Sequence, residues 1–85
     1  MEIEKTFGIV LRKKRLEKEF SQEELAHVCG LDRTYISLLE RGKRKPTINT
    51  VFALAKGLKV LPSTLLVETE NLLGNFNEQC FVNRE

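Results

Sequence analysis

The sequence predicts an all-α fold, a compact five-helix domain that contains a helix-turn-helix. Three observations support this prediction. The 85 residues include only five Gly, two Pro, no Trp and 7% aromatic residues, so the chain is poorly supplied for strands and turns. Apolar residues recur at intervals of three and four along most of the chain. Capping residues and glycines divide this pattern into short segments.

Length and composition limit the possible classes of protein. A chain of 85 residues makes one domain, and 41% hydrophobic with 31% charged residues is typical of a compact fold. No apolar stretch approaches the roughly 20 residues that cross a bilayer, and the N-terminus lacks the layout of a signal peptide. Cys29 and Cys80 match neither a disulfide framework nor a zinc-site spacing. We therefore expect a cytoplasmic protein with reduced thiols and with no metal or cofactor.

The first third of the chain predicts two helices. The first spans about residues 4–18, and its apolar positions at helical spacing are Ile3, Phe7, Val10, Leu11 and Leu16. Ser21 and Glu24 form a capping box, in which each side chain accepts a hydrogen bond from the other residue's backbone N–H. A short second helix follows over residues 22–29 and ends at Gly30, which tolerates the left-handed conformation.

Three more helices are predicted beyond Gly30. Asp32 is the next N-cap and Gly42 the next stop signal, so a third helix covers residues 32–41. After a basic loop, Thr47 begins a fourth helix, whose apolar stripe is Val51, Phe52, Leu54, Ala55 and Leu58. Pro62 favours a short fifth helix over residues 61–66.

The apolar pattern weakens after Val67. We therefore divide the chain into a helix-turn-helix domain over residues 1–67 and a C-terminal tail over residues 68–85, whose structure the pattern leaves uncertain. Residues 72–76 could extend a helix, although Gly74 interrupts it, and residues 80–82 could form a short strand. The tail is also a candidate for part of a dimer interface and for contact with a protein partner.

Charge is distributed unevenly along the chain. Residues 31–59 contain seven basic and two acidic side chains, a net charge of +5, whereas residues 1–30 are neutral and residues 60–85 carry −3. A basic middle segment beside an acidic end is typical of a protein that touches a polyanion with one face.

The third predicted helix separates into two faces when it advances by ~100° per residue. Ile36 and Leu39 fall on one side, with Tyr35 at its edge. The opposite side carries Arg33, Thr34, Ser37, Leu38 and Arg41. This second face suits the major groove of DNA, because Arg binds guanine, hydroxyls bind several base edges and apolar carbon contacts the thymine methyl. Leu38 could also be an exposed leucine without a function, since single apolar residues are common on protein surfaces.

Residues 7–67 resemble the Xre family of phage-repressor-like transcriptional regulators. The matching motifs are Leu-Arg-Lys-Lys-Arg-Leu-Glu-Lys-Glu-Phe-Ser-Gln-Glu-Glu-Leu-Ala at 11–26, Gly-Leu-Asp-Arg-Thr-Tyr-Ile-Ser-Leu-Leu-Glu-Arg-Gly at 30–42 and Lys-Pro-Thr at 45–47. Residues 31–37 are particularly similar to the controller proteins of restriction–modification systems. The resemblance implies a lambda-repressor-like DNA-binding fold.

The resemblance also implies roles for individual residues. Those that would face base edges are Arg33, Thr34, Ser37 and Leu38. Those that would contact the DNA backbone are Gln22, Tyr35, Arg41, Lys43 and Arg44. Arg15 and Glu40 match an internal ion pair that ties the first helix to the third. Lys14 replaces an apolar residue of the family pattern and Glu19 replaces a glycine.

These observations predict a sequence-specific regulator that binds double-stranded DNA as a homodimer on a palindromic operator. The candidate dimer residues are Leu61, Leu65, Leu66 and Val67, with Leu72, Phe76, Phe81 and Val82 as additions, although the same residues could complete the monomer core. The alternative is a DNA-binding antitoxin or a protein-interaction adaptor with the same fold. No nucleophile or acid is spaced to act with His27, so we expect no enzymatic activity.

Overall fold

The computed structural model describes residues 2–74, and within them it contains the five predicted helices. Their bounds are α1 Ile3–Glu17, α2 Gln22–Cys29, α3 Arg33–Glu40, α4 Ile48–Leu58 and α5 Pro62–Leu73. The fifth helix is longer than predicted, so the domain boundary that we placed after Val67 falls inside α5. The strand predicted over residues 80–82 and the additional dimer residues from Phe76 onward lie outside the described residues.

Three of the helices begin at the N-caps that the sequence predicts. In the capping box of α2, the Glu24 N–H donates to Ser21 Oγ at 3.0 Å and the Ser21 N–H donates to Glu24 Oε1 at 2.8 Å. At α3, the carboxylate of Asp32 accepts from a backbone N–H at 3.0 Å, and at α4 the hydroxyl of Thr47 accepts at 3.1 Å. These side chains satisfy N–H groups that have no partner inside the helix.

Each of the first four helices is followed, within two residues, by a residue of positive φ. Gly30 and Gly42 take this conformation as predicted, but Glu19 (φ 62°) and Lys59 (φ 61°) take it with a side chain attached. After α1, the Glu19 N–H donates to the carbonyl of Leu16 and the next N–H donates to the carbonyl of Arg15. This double hydrogen bond stabilises the turn against a steric cost of about 1 kcal/mol for a non-glycine residue.

The core lies where the five helices meet. α1 packs on α3 and α5, α2 packs on α3 and α4, and α4 packs on α5. The buried apolar residues are Phe7, Val10, Leu11, Leu25, Ala26, Ile36, Leu39, Val51, Leu54, Ala55, Leu58 and Leu65. Two predictions are wrong at this level. Leu65 is fully buried in the monomer and cannot contribute to a dimer interface, and Phe52 is 57% exposed rather than part of the core stripe.

Two glycines permit close approaches between helices. A Cβ atom on Gly8 would collide with the carbonyl oxygens of Leu39 and Glu40, so α1 crosses the end of α3 at this point. A Cβ atom on Gly57 would collide with the sulfur of Cys29, which brings α4 against α2. Cys29 is partly buried in this contact, and burial raises the pKa of its thiol above the ordinary value.

The ion pair between Arg15 and Glu40 joins α1 to the end of α3. Arg15 Nε donates to Glu40 Oε2 at 2.6 Å and Nη2 donates to Oε1 at 3.0 Å, while Nη1 donates to the carbonyl of Phe20 at 2.8 Å. The side chains are 9% and 3% exposed, and the hydrogen bond to Glu40 raises the pKa of Arg15. A planar guanidinium in such a bidentate contact fixes the angle between the two helices.

Lys14 performs a similar function on the other side of α1. Its Nζ lies 2.6 Å from Glu68 Oε2 on α5 and 3.4 Å from Glu17 Oε1. Lys14, which replaces an apolar residue of the family pattern, therefore pairs with Glu68, a residue of the predicted tail over residues 68–85.

No single helix among the described residues is long and apolar enough to cross a bilayer. α4 and α5 meet that requirement only together, with a 107° bend between them.

We expect Arg15→Met to reduce the free energy of unfolding by about 3–5 kcal/mol, because it leaves the Glu40 carboxylate buried without its cation. Urea unfolding monitored by circular dichroism would measure the loss. The double variant Arg15→Met with Glu40→Leu should recover most of it, because no buried charge remains. A double variant no more stable than Arg15→Met would show that the cost came from lost packing instead.

Candidate nucleic-acid interface

The two faces of α3 lie as the sequence predicts. Ile36 and Leu39 are fully buried against the core. On the other face Arg33 and Thr34 are exposed, and Ser37 and Leu38 are partly exposed. The four predicted base-reading residues are therefore neighbours on the outward surface of one short helix.

The connection between α2 and α3 sets the direction in which this surface points. Gly30 (φ 70°) ends α2, and the N–H of Leu31 donates to the carbonyl of Ala26 at 2.9 Å. Leu25 and Ala26 of α2 are buried, and α2 packs on α3. A turn this short forces the two helices to cross steeply, so that α2 packs against α3 and leaves the outward face of α3 uncovered.

Gln22, predicted to contact a DNA phosphate, lies at the first position of α2 and is partly buried. Its Nε2 donates to Glu40 Oε1 at 3.0 Å, the oxygen that also accepts from Arg15. The same carboxylate therefore holds α1, the start of α2 and the end of α3 together. An amide nitrogen has two N–H groups, so Gln22 keeps one donor for an outside anion.

The loop between α3 and α4 presents three of the predicted backbone contacts. Arg41, Lys43 and Arg44 are exposed, and within residues 2–74 none of them forms an ion pair. Lys45 differs, because its Nζ lies 3.6 Å from Glu4 Oε2. The loop turns at Gly42 (φ 72°), where a Cβ atom would collide with the backbone of Lys5. Its basic side chains therefore extend from a turn packed on α1.

Tyr35 lies at the border between α3, the loop and α4, and is partly exposed. Its hydroxyl is 3.2 Å from Thr50 Oγ1, which also accepts a hydrogen bond from the hydroxyl of Thr47 at 3.0 Å. The Arg44 guanidinium carbon lies 5.7 Å from the centre of the ring. The hydroxyl of Tyr35, a residue predicted to contact the DNA backbone, is thus bonded within the protein, and the ring contacts Arg44, another residue with that prediction.

Several apolar side chains on α4, at the start of α5 and on α5 are exposed. Of the predicted dimer residues, Leu61, Leu66 and Val67 are exposed by 68%, 48% and 49%. Ile48 and Phe52 were not among the predicted dimer residues, and they are exposed by 68% and 57%. Their separation by four residues places them on one face of α4, although that spacing alone does not show whether other helices cover the face. Ile48 and Leu66 line a groove of about 400 Å³ together with Ile3 and Phe7.

Comparison with known proteins also identifies a helix-turn-helix domain. A family model described as helix-turn-helix matches residues 11–65. Control protein C.BamHI of Bacillus amyloliquefaciens is 46% identical over 61 residues, which are 71% of this chain and 75% of the relative.

Two solved structures of controller proteins have the same fold. The restriction–modification controller protein C.AhdI from Aeromonas hydrophila superposes with a TM-score of 0.71 at 41% identity, covering 72% of this chain and 92% of that one. The C.Esp1396I tetramer in complex with its natural 35 base-pair operator superposes with a TM-score of 0.77 at 37% identity, covering 84% and 93% of the two chains. The chain therefore belongs to the Xre-like helix-turn-helix family of transcriptional regulators, and its relatives include restriction–modification controller proteins.

Proposed function

We propose that the protein is a sequence-specific transcriptional regulator that binds a palindromic operator as a homodimer and places α3 in the major groove. The observation that supports this most directly is the division of α3 into two faces. Ile36 and Leu39 anchor the helix by complete burial, whereas Arg33 and Thr34 on the other face are exposed. An α-helix fits the major groove of B-DNA and can contact base edges there.

The outward residues of α3 have the chemistry to distinguish base pairs. The Arg33 guanidinium at the start of the helix can donate two hydrogen bonds to O6 and N7 of a guanine. The hydroxyls of Thr34 and Ser37 can donate to or accept from several base edges. Leu38 offers carbon for a thymine methyl group. We propose that these four side chains determine the operator sequence.

The charged groups around α3 would hold the DNA backbone. Arg41, Lys43 and Arg44 extend from the loop, and Gln22 stands at the N-terminus of α2, where backbone N–H groups also favour an anion. The exposed basic groups account for much of the net charge of +5 in residues 31–59. Phosphate contacts of this kind fix the orientation of a protein on the duplex without selecting its sequence.

A dimer explains how so small a domain obtains specificity. Two copies related by a dyad present their recognition helices about 34 Å apart, one turn of DNA, and so read both halves of a palindrome. We propose that the copies meet through Ile48 and Phe52 of α4 together with Leu61, Leu66 and Val67. Their exposure in the monomer and the groove that Ile48 and Leu66 share support this, because a contiguous exposed apolar patch often binds another protein.

The names of the relatives support a more specific role. C.AhdI is a restriction–modification controller protein and C.BamHI is a control protein. We propose that this chain likewise controls genes of a restriction–modification system. No observation in residues 2–74 favours the antitoxin or adaptor alternative. The cytoplasmic location stays a prediction.

We expect Arg33→Ala to weaken binding to a selected operator duplex by about 1–3 kcal/mol and to relax the preference at one base pair. Lys43→Ala should weaken selected and scrambled duplexes equally and should reduce the slope of log affinity against log salt by about one. Gel-shift titrations at several salt concentrations measure both effects. Equal losses on both duplexes for Arg33→Ala would refute its base-reading role.

We expect Phe52→Glu to raise the dissociation constant of the homodimer at least tenfold, because each dimer loses two apolar side chains worth about 1.5–3 kcal/mol each when buried. Sedimentation equilibrium would measure the constant. Ile9→Glu is the matched control, since Ile9 is 47% exposed on α1, outside the proposed interface. A larger effect for Ile9→Glu would move the interface to α1.

A further inference from the structure

The structure assigns Tyr35 a role that it performs through another residue. We propose that Tyr35 is a positioning residue, whose ring holds the Arg44 guanidinium in place before DNA binds and whose hydroxyl anchors this arrangement to α4. This inference rests on the proposed function and deepens it. It replaces the direct contact between Tyr35 and the DNA backbone with an indirect one.

The hydroxyl of Tyr35 already has a partner inside the protein. It lies 3.2 Å from Thr50 Oγ1, and Thr50 is only 8% exposed. Thr50 also receives a hydrogen bond from Thr47, the residue that caps α4. The hydroxyls of Tyr35, Thr50 and Thr47 therefore form a chain from the recognition helix to the start of the next helix. This chain restrains the position of the Tyr35 side chain.

The Arg44 side chain lies against the ring of Tyr35. Its guanidinium carbon is 5.7 Å from the ring centre, within the range of a cation–π contact. Arg44 is exposed and has no ion pair within the described residues, so the ring is the partner that restricts it. Arg41 and Lys43, its neighbours in the loop, have no such contact with an aromatic ring among residues 2–74.

A restricted arginine binds phosphate at a lower entropic cost than a free one. A free Arg side chain loses substantial rotamer entropy when a contact immobilises it, and ordering it in advance removes part of that cost. Because Tyr35 lies on α3 itself, Arg44 keeps a fixed register relative to Arg33 and the other outward residues. The proposal therefore predicts that Tyr35 and Arg44 contribute to DNA affinity as one unit.

A double-mutant cycle tests this coupling. The probe is a duplex obtained by selection from a random pool, with a scrambled duplex of equal length as its control. Tyr35→Leu should weaken binding about two- to fivefold, the range of an exposed cation–π contact. In an Arg44→Ala background the same change should have no further effect, within a factor of 1.5. Tyr35→Phe keeps the ring but removes the hydroxyl anchor, so it should retain only part of the coupling to Arg44.

Two further measurements separate positioning from a structural role. Arg44→Lys keeps the charge but cannot stack in the same way, and its loss of affinity should match that of Tyr35→Leu. In free protein, NMR should show an upfield ring-current shift of the Arg44 δ protons that is reduced in Tyr35→Phe and disappears in Tyr35→Leu. Thermal unfolding confirms that each variant is folded at the assay temperature.

The outcomes are distinct. The positioning role would be overturned if the losses of DNA affinity caused by Tyr35→Leu and Arg44→Ala multiplied in the double variant. It would also be overturned if the ring-current shift were absent. In both cases DNA binding itself would stand. A loss in Tyr35→Phe that is independent of Arg44 would restore the direct contact between the hydroxyl and the DNA. Failure of the unaltered protein to bind any selected duplex would overturn both the inference and the proposed function.

Discussion

The carboxylate of Glu40 determines how the recognition helix is presented. It lies at the last position of α3, is almost completely buried and accepts hydrogen bonds from Arg15 on α1 and Gln22 on α2. A rotation of α3 about its axis would break both contacts and leave a charge in the interior, which is far more costly than the loss of an exposed ion pair. The outward direction of Arg33 and Thr34 follows from this constraint together with the burial of Ile36 and Leu39.

Local signals predicted the helix boundaries well. Ser21, Asp32 and Thr47 cap the helices that they were expected to cap, because their hydrogen bonds span at most three residues. Signals that depend on tertiary contact were less informative. The fifth helix continues past Val67, where Glu68 pairs with Lys14 on α1 and the Thr69 hydroxyl donates to the carbonyl of Leu65. Such a partner is 54 positions away in the chain and cannot be located from spacing.

The same distinction applies to the candidate site. The periodicity of α3 was enough to separate its inner and outer residues, since each residue advances by a known angle. It could not show that Phe52 is exposed, because the width of the buried stripe on α4 depends on which helices cover it. Nor could it show that the Tyr35 hydroxyl bonds to Thr50 or that Arg44 meets its ring. These contacts join two helices and a loop whose path depends on Gly42 and Lys5.

The central claim is that the outward face of α3 enters duplex DNA. Amide chemical-shift mapping by NMR during titration with a selected duplex tests it residue by residue in the intact protein. The account predicts that the largest changes fall within residues 33–45 and at the N-terminus of α2, with small changes along α1 and the C-terminal half of α5. Changes concentrated on α1 and α5, with residues 33–41 unaffected at saturation, would contradict it.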